Sequence, residues 1–313
     1  MARKRRNSTL DYAVFLAVRM VVCVVQALPP AVALKIGEFL GWVAYKVDKR
    51  HRAIAAENLG FAFPEFAADP ARIDRMVRAT YRHILLSVVE MMIVPRKIHI
   101  NNWRRYASMN PAAQMIGPTL AARANLMVSG HFGNWEVAGR MIGIFGYKTF
   151  AIARVLDNPY LERFVKHFRQ GTGQTLIAKK DDFDRLTDVL GRNAKVAILA
   201  DQDAGSRGVF VNFFGRPASA NKGVALMAME FDAVLTVVGL ARTAEPMYFA
   251  MYCEDVIDPR DYATNPNAVK AITERYTAAL ERIIRRHPEQ YFWLHRRWKS
   301  QPVKREKKAK QAA

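Results

Sequence analysis

The chain has 313 residues, of which 51% are hydrophobic and 24% are charged. This length and composition exclude a peptide-sized or metal-stapled fold and wholesale disorder, because enough apolar surface is present to build a core. With 48 Lys and Arg residues against 28 Asp and Glu residues, the net charge is +20, which favours an anionic partner: nucleic acid, an anionic bilayer or an acidic protein. Cys23 and Cys253 lie far apart in apolar runs, so we expect no disulfide framework and no CxxC site.

The first predicted element is an apolar helix over residues 12–28, which follows a basic tip and ends at Pro29 and Pro30. A simple membrane span is marginal, because a helix of this length reaches roughly 26 Å and Arg19 at its centre costs roughly 2.5–3.5 kcal/mol. Basic residues on both sides favour cytoplasmic flanks. We therefore expect a monotopic anchor or a shallow helical hairpin bent at the two prolines. The alternatives are a secretory signal peptide and a pair of core helices.

A second helix is predicted from Asp69, a candidate N-cap followed by Pro70, with Pro95 as its terminator. Beyond it, runs typical of strands alternate with runs typical of helices. The strand candidates are residues 125–129, 195–200, 234–241 and 247–253, and the helix candidates are residues 134–145, 222–231 and 268–286. The alternation predicts an α/β fold with a mixed, mostly parallel sheet flanked by helices.

Three parts of the chain are expected from these patterns. Residues 1–60 form a basic tip and an N-terminal, membrane-apposed helical segment, residues 61–298 form the α/β domain, and residues 299–313 form a basic, solvated tail.

The strongest chemical signal is the segment Ser129-Gly130-His131-Phe132-Gly133-Asn134-Trp135-Glu136. It places His131 between glycines at the carboxyl end of a predicted strand, where open α/β sheets bind their ligands. Glu136 falls in the first turn of the next helix, where it can accept a hydrogen bond from one ring nitrogen of His131 and leave the other as a base. The pair is a base with an orienting group and no adjacent nucleophile; a structural histidine is the alternative.

Two other kinds of site are poorly supported by the sequence. A metal site is not expected, because the residue four positions after His131 is Trp135 and no other His or Cys stands nearby at ligand spacing. A serine hydrolase is not expected either, because the chain contains no GxSxG segment.

Four segments together resemble the bacterial lipid A biosynthesis acyltransferases, the lauroyl and myristoyl transferases that share the His-x4-Asp/Glu motif of glycerolipid acyltransferases. The segments are HFGNWE, residues 154–159 (RVLDNP), residues 200–205 (ADQDAG) with 209–215 (VFVNFFG), and residues 288–299 (PEQYFWLHRRWK). The resemblance extends over most of the chain up to Lys299.

The resemblance implies a glycerolipid-acyltransferase-like fold and transfer of a fatty acyl chain from a carrier thioester to a hydroxyl of a membrane glycolipid. The donor is acyl carrier protein or coenzyme A, the acceptor is similar to a lipid A precursor, and the place is the cytoplasmic face of the bacterial inner membrane. Neither a cofactor nor a metal is implied.

The resemblance also implies roles for single residues. His131 is similar to the general base, Glu136 to its orienting partner, and Arg169 to a charge-stabilising arginine. Arg154 and Asp201 occupy other recurrent positions of the family, and Val155 stands where the family usually has proline.

The residue types fit this chemistry, because attack by a hydroxyl needs a base and donors for the developing oxyanion. The N–H groups of Gly133 and Asn134, at a helix start, are the expected oxyanion donors. Arg154 and Arg169 are expected to hold phosphate or carboxylate groups of an anionic acceptor, with solvated helix-face arginines as the alternative. Because no nucleophile stands next to His131, we expect direct transfer without a covalent acyl-enzyme.

Three further segments leave alternatives open. Asp201 and Asp203 suit either a metal or arginine site or a capped turn before Gly205. Residues 209–214 suit either an apolar wall, facing an acyl chain or the bilayer, or ordinary core. Residues 291–299 interleave aromatic and basic side chains in a manner suited to a membrane interface.

Two rival functions come from other classes. The basic and aromatic mixture is compatible with nucleic-acid binding, but no nucleic-acid module is recognisable, so we expect no nucleic acid as partner. A non-catalytic membrane scaffold would leave the glycine-flanked His131 without a role.

Overall fold

The computed structural model describes residues 7–110, 112–178 and 183–302. The basic tip at residues 1–6 and the predicted tail from residue 303 onwards lie outside the described residues.

The chain begins with two helices, α1 (Ser8–Ala27) and α2 (Pro30–Val47), joined at the two prolines. The Asn7 side chain caps α1 by accepting hydrogen bonds from two backbone N–H groups of its first turn. By length and composition α1 is apolar enough to cross a membrane, yet only 11% of its most apolar 18-residue window is buried. The predicted bend at the prolines is present between the two helices. Because so little of α1 is buried, this helix does not fit the alternative of a core helix.

Helix α2 is held against α5 (Pro70–Lys97) by close approach of the two backbones. A Cβ atom on Gly41 would come within 2.8 Å of the Cα atom of Arg82, so only glycine allows this contact. Between them lie α3 (Lys49–Ala62) and the short α4 (Pro64–Ala67). Asp69 caps α5 as predicted, but Pro95 does not end it. Since Pro95 stands in the last turn, its missing N–H costs a single helical bond and the helix continues to Lys97.

The next part of the chain alternates strands and helices. It is followed by a short segment, residues 287–299, which is called the closing segment below. In chain order these elements are β1 (Ala107–Asn110), α6 (Ala112–Leu120), β2 (Asn125–Ser129), α7 (Trp135–Ile144), β3 (Thr149–Ala153), α8 (Pro159–Gln170), β4 (Gln174–Ala178), α9 (Phe183–Gly191), β5 (Lys195–Leu199), β6 (Val209–Phe213), β7 (Arg216–Ala220), α10 (Gly223–Glu230), β8 (Val234–Arg242), β9 (Phe249–Ile257) and α11 (Ala268–Arg286).

Seven of these strands form one sheet in the order β1-β9-β8-β2-β5-β3-β4. All neighbouring pairs are parallel except β8 and β9, which are antiparallel. Strands β6 and β7 form a separate antiparallel hairpin. The predicted fold class, a mixed and mostly parallel sheet flanked by helices, is confirmed.

Helices cover both faces of the sheet, and the central strands are apolar on both sides. In β2, Leu126 and Val128 belong to a core cluster shared with α9, α10 and α11, whereas Met127 belongs to a second cluster shared with α5 and α7. This two-sided burial explains why β2, β5 and β8 were recognisable as continuous apolar runs. The edge strands β1 and β4 were not predicted, and neither was β3, which lies next to β4.

The closing segment of the chain lies inside the protein and not at an interface, so that prediction is wrong. Tyr291, Trp293 and Trp298 are buried, and so is Arg297, which donates to the carbonyl of Ser219 at 2.7 Å. The aromatic side chains pack on one another, and the buried guanidinium donates to a backbone oxygen through Nη1 and lies 5.0 Å from the ring centre of Phe213, so this mixture of residue types serves the core.

Residues 209–214 form β6 and the turn after it. Phe213 and Phe214 are both buried, and the ring of Phe214 packs against Trp293 with the ring centres 5.7 Å apart. For these two side chains the structure favours the core interpretation over an exposed apolar wall.

Candidate active site

His131 stands just beyond the carboxyl end of β2, beside the end of β5. The two strands are parallel and pair Ser129 with Leu199, so the residues that follow them meet. Nδ1 of His131 lies 2.8 Å from Oδ1 of Asp201, and the backbone N–H of His131 donates to Oδ2 of Asp201, also at 2.8 Å. Asp201 thus holds both the ring and the backbone of His131.

The Asp201 side chain is an ionised carboxylate in a buried place, with only 2% of the residue exposed. Burial by itself raises its pKa, but the hydrogen bond and the charge of His131 outweigh burial and hold the pKa well below its usual range. A carboxylate so placed keeps the proton of neutral His131 on Nδ1.

Asp201 therefore occupies the place at Nδ1 that was expected for Glu136. Asp201 had been expected to bind substrate. Because it is buried and both its oxygens face His131, it is not positioned to do so. The reason is topological: Asp201 follows the strand adjacent to β2, whereas Glu136 lies on α7 and faces α8.

Glu136 pairs with Arg169, which stands near the end of α8. Nε of Arg169 donates to Oε2 of Glu136 at 2.8 Å, and Nη2 donates to Oε1. The hydrogen bonds that Arg169 donates to the Glu136 carboxylate raise the pKa of Arg169, against the opposing effect of burial. The structure thus joins two predicted site residues in one bidentate ion pair across two helices.

The N–H groups of Gly133 and Asn134 are engaged by backbone carbonyls and do not form the expected oxyanion site. Gly133 donates to the carbonyl of Gln290 at 2.8 Å, and Asn134 donates to that of Leu240 at 3.1 Å. Gly133 has a positive φ of 56°, and a Cβ atom there would lie 1.7 Å from the Leu240 oxygen. These two residues therefore fasten the loop to β8 and to the closing segment.

The Asn134 side chain is buried and caps α7. Its Oδ1 accepts a hydrogen bond from the N–H of Val137 at 3.2 Å, so its substrate-binding role is not supported by the geometry. In the same first turn, the N–H groups of Trp135 and Glu136 have no acceptor within the helix, as helix geometry requires.

A cavity of about 790 Å³ opens beside His131, within the size range of small-molecule sites. Polar groups of His131, Glu136, Arg154, Arg169 and Gln202 contribute to its lining. The remaining lining is mostly apolar and comes largely from α7 and the strands it covers: Met127, Ala138, Ile142, Ala151, Ala197 and Val238. The cavity therefore brings the His131 imidazole next to a wall of apolar side chains.

A family model described as bacterial lipid A biosynthesis acyltransferase matches residues 1–300. The chain belongs to this family. The resemblance noted from the four sequence segments is confirmed.

Among its relatives, the lipid A biosynthesis palmitoleoyltransferase of Escherichia coli (strain K12) is 26% identical over 283 residues, covering 88% of each chain. The lipid A biosynthesis lauroyltransferase of the same strain is 24% identical over 287 residues, covering 90% of each chain. A phosphatidylinositol mannoside acyltransferase of Mycobacterium tuberculosis (strain ATCC 25618 / H37Rv) is 27% identical over 173 residues, or 54% of this chain and 52% of the relative.

One solved structure covers most of the chain at a low TM-score. It is the crystal structure of the 1-acyl-sn-glycerophosphate acyltransferase PlsC from Thermotoga maritima, with a TM-score of 0.39 and 9% identity over 82% of this chain and 98% of that one.

In this lipid A acyltransferase family member, Arg154 differs from Arg169 in its surroundings. Its side chain is 81% exposed and lies 3.8 Å from the carboxylate of Asp157, also exposed. It lines the cavity without a buried partner among the described contacts. The geometry accordingly describes a solvated arginine at the cavity.

Two further residues that the sequence pattern did not assign to the site contact His131. The N–H of Phe292 donates to the carbonyl of His131 at 2.9 Å, and the rings of Trp135 and Phe292 lie 5.1 and 6.2 Å from the imidazole centre. The available signal was that Phe292 belongs to one of the four family-like segments. Its contact with His131 spans 161 positions of sequence and is not visible in any local pattern.

Proposed function

We propose that this chain is a membrane-associated O-acyltransferase that moves a fatty acyl chain from a carrier thioester to a hydroxyl of a glycolipid similar to a lipid A precursor. Family membership supports acyl transfer, and the names of the relatives supply the glycolipid class. The single observation that carries the proposal is the His131–Asp201 pair beside a cavity of about 790 Å³ that is lined by both polar and apolar residues.

The proposed mechanism is general-base catalysis without an acyl-enzyme. Because Asp201 holds the proton on Nδ1 of His131, Nε2 is the basic nitrogen and takes the proton of the acceptor hydroxyl. The acceptor oxygen forms a bond to the thioester carbonyl carbon. When the tetrahedral intermediate collapses, the carbon–sulfur bond breaks and the imidazolium returns its proton to the leaving thiolate.

The oxyanion of that intermediate needs donors other than Gly133 and Asn134. The first-turn N–H groups of Trp135 and Glu136 are the donors we propose, because they lack helical acceptors and the positive end of the α7 dipole lies there. Arg169, held by Glu136, adds a fixed positive charge at the same cavity. We propose that this charge binds an anionic group of the acceptor.

The apolar part of the cavity is the proposed site for the acyl chain. Side chains of Met127, Ile142 and Val238 line it between α7 and the sheet, where a fatty chain would be shielded from water. The donor is either acyl carrier protein or acyl coenzyme A, since both present the same thioester to this cavity.

Membrane attachment is proposed for the N-terminal segment, residues 1–60, with residues 61–298 as the catalytic α/β domain. Large apolar side chains are exposed on both first helices: Leu10, Val14, Leu16, Met20, Val21 and Val24 on α1, and Val32, Ile36, Phe39, Leu40, Trp42 and Val47 on α2. Exposed apolar surface of this extent favours a bilayer as partner. The basic flanks favour the cytoplasmic face of the bacterial inner membrane.

The test is acyl transfer by the purified full-length protein in detergent, with acyl carrier protein thioester or acyl coenzyme A as donor and a lipid A precursor as acceptor. We expect the acceptor to gain the mass of one acyl group with wild-type protein and not with His131→Ala. Intact-mass measurement after incubation with donor alone should show no acyl adduct on the protein. A stoichiometric adduct that passes to the acceptor would overturn direct transfer, and equal turnover by His131→Ala would overturn the general-base role.

A further inference from the structure

A cluster of buried polar side chains lies beneath the His131 loop and takes no part in the mechanism above. His83, Ser87 and Glu90 follow one face of α5, and Arg242 reaches them from the end of β8. His83 is 3% exposed and Glu90 is 0% exposed. Nη2 of Arg242 donates to Oε2 of Glu90 at 2.8 Å, and Nε donates to Oε1, so the ion pair is bidentate.

The cluster is bonded directly to the residues that follow His131. Nε2 of His83 lies 3.1 Å from the carbonyl oxygen of Gly133. The Asn134 side-chain amide donates to Oε2 of Glu90 at 2.9 Å and to the carbonyl of Ser87 at 3.1 Å. The backbone between His131 and the first turn of α7 is therefore held from below at two successive residues.

The tautomer of His83 follows from its partners. Nη1 of Arg242 lies 2.8 Å from Nδ1 of His83, and a guanidinium has only donors, so Nδ1 accepts. Nε2 then carries the hydrogen and donates to the Gly133 carbonyl. Burial and the positive charge of Arg242 lower the pKa of His83 to about 3, so the ring is neutral near pH 7.

Stability alone does not account for such a cluster. Replacing a buried ion pair by apolar residues of similar volume is often neutral or stabilising, because desolvation offsets the attraction of the charges. What apolar residues would not supply is a donor for the Gly133 carbonyl and an acceptor for the Asn134 amide. Those two bonds fix where the loop leaves His131 and where α7 begins.

We propose that His83 and Glu90, held by Arg242, are positioning residues for acyl transfer, which set the placement of His131 relative to the start of α7. The proposal rests on the proposed function, because it assumes that His131 and the first turn of α7 act on the same substrate. A displacement of reacting groups by about 1 Å lowers the rate on the order of 10²-fold. Loss of the hydrogen bonds to the Gly133 carbonyl and the Asn134 amide would therefore lower kcat.

The test compares His83→Leu and His83→Gln with Thr80→Val as the matched control. Thr80 lies one turn earlier on α5, is fully buried, and its hydroxyl donates to the carbonyl of Met76 in its own helix. We expect His83→Leu to lower kcat roughly 10- to 100-fold with both KM values unchanged. Glutamine can place an amide N–H near the Nε2 position, so His83→Gln should recover most of kcat, and Thr80→Val should retain all of it.

Nitrogen-15 spectra of the histidine-labelled wild-type protein supply a second measurement that needs no stable variant and no activity. The His83 signals should show hydrogen on Nε2 and none on Nδ1 near pH 7. They are assigned by their loss in His83→Gln or, if that variant does not fold, by their displacement in Arg242→Lys. An Nδ1–H tautomer or an imidazolium would overturn the proposal. So would a folded His83→Leu with wild-type kcat, or a His83→Gln as slow as His83→Leu. Absence of acyl transfer by wild-type protein would instead contradict the proposed function. The tautomer of His83 would still test the hydrogen bonds that His83 makes with Arg242 and Gly133.

Discussion

At the scale of single residues, the orientation of His131 depends on Asp201 more than on any residue near it in sequence. Asp201 stands two residues after β5, with its oxygens on the ring and the backbone N–H of His131. Asp203 is close in sequence but points elsewhere, and accepts a hydrogen bond from the hydroxyl of Ser300 at 2.9 Å. The two aspartates of one sequence segment therefore have different partners, His131 for Asp201 and Ser300 for Asp203.

Asp201→Asn should lower kcat for acyl transfer by roughly 10²–10⁴-fold, the usual worth of general-base assistance. An asparagine amide at this place can donate to Nδ1, which would favour the tautomer with its hydrogen on Nε2 and remove the base. Asp203→Asn is the matched control and should retain activity near that of wild type. Steady-state transfer rates of the two variants, normalised to folded protein, check the prediction; equal losses would contradict it.

The pH dependence of stability should also report on Asp201. Since its folded pKa lies below the unfolded value of about 3.9, its ionised form adds stability that is present above pH 4 and lost as the pH falls through the folded pKa. The difference in unfolding free energy between wild type and Asp201→Asn should thus be large near pH 7 and shrink below pH 4. Urea unfolding at a series of pH values measures this difference, and a gap that widens with acid would contradict the sign.

At the scale of elements, α7 and α8 are joined across the cavity by Glu136 and Arg169. The other end of α8 is joined to α1, because the Asn158 side chain donates to the carbonyl of Asp11 at 2.8 Å and the rings of Tyr12 and Tyr160 lie 5.1 Å apart. Helix α8 thus connects the most exposed apolar helix to the cavity. Its position depends on both contacts.

Arg169→Ala should raise the acceptor concentration needed for half-maximal rate, because a lost charge-assisted hydrogen bond costs roughly 1.5–3 kcal/mol. Thioester hydrolysis without acceptor should change less. Arg154→Ala is the control, since its solvated side chain makes only a long contact with Asp157, and its effect should be small. An equal loss of transfer and hydrolysis in Arg169→Ala at unchanged acceptor KM would place this arginine at the reacting centre.

At the scale of the whole molecule, exposed apolar surface is concentrated on α1 and α2, and the chain carries a net charge of +20. These two properties favour an anionic bilayer together, because apolar side chains enter the interface while basic groups meet the head groups. The buried closing segment contributes to the core instead of to this surface.

The full-length protein should sediment with membranes and stay there through washes with high salt and carbonate. Leu16→Glu with Met20→Glu, two exposed positions on α1, should weaken this retention without unfolding the α/β domain. Thr80→Val, on buried α5, should leave retention unchanged. Immunodetection in pellet and supernatant checks this, and full-length wild-type protein in the carbonate supernatant would overturn the anchor.

Much of the architecture could be predicted because its signals are local. The bend at Pro29 and Pro30 follows from ring geometry, and β2 and α11 have the predicted bounds because continuous apolar runs and helical periodicity are properties of adjacent residues. Strands β1, β3 and β4 were missed because most of their residues are only partly buried. The site loop was found through its glycines, one of which, Gly133, is required by the close approach of the Leu240 carbonyl.

The amino-acid sequence by itself determined the fold class and the family, and it singled out His131 as the candidate base, since these depend on local patterns and on motifs in order. Only the tertiary structure decided the partners: Asp201 for His131, Arg169 for Glu136, and backbone carbonyls for the N–H groups of Gly133 and Asn134. The physical reason is strand order. Asp201 is 70 positions from His131 along the chain, and they meet because β5 pairs with β2, an adjacency that the packing of the whole sheet creates and that no local pattern specifies.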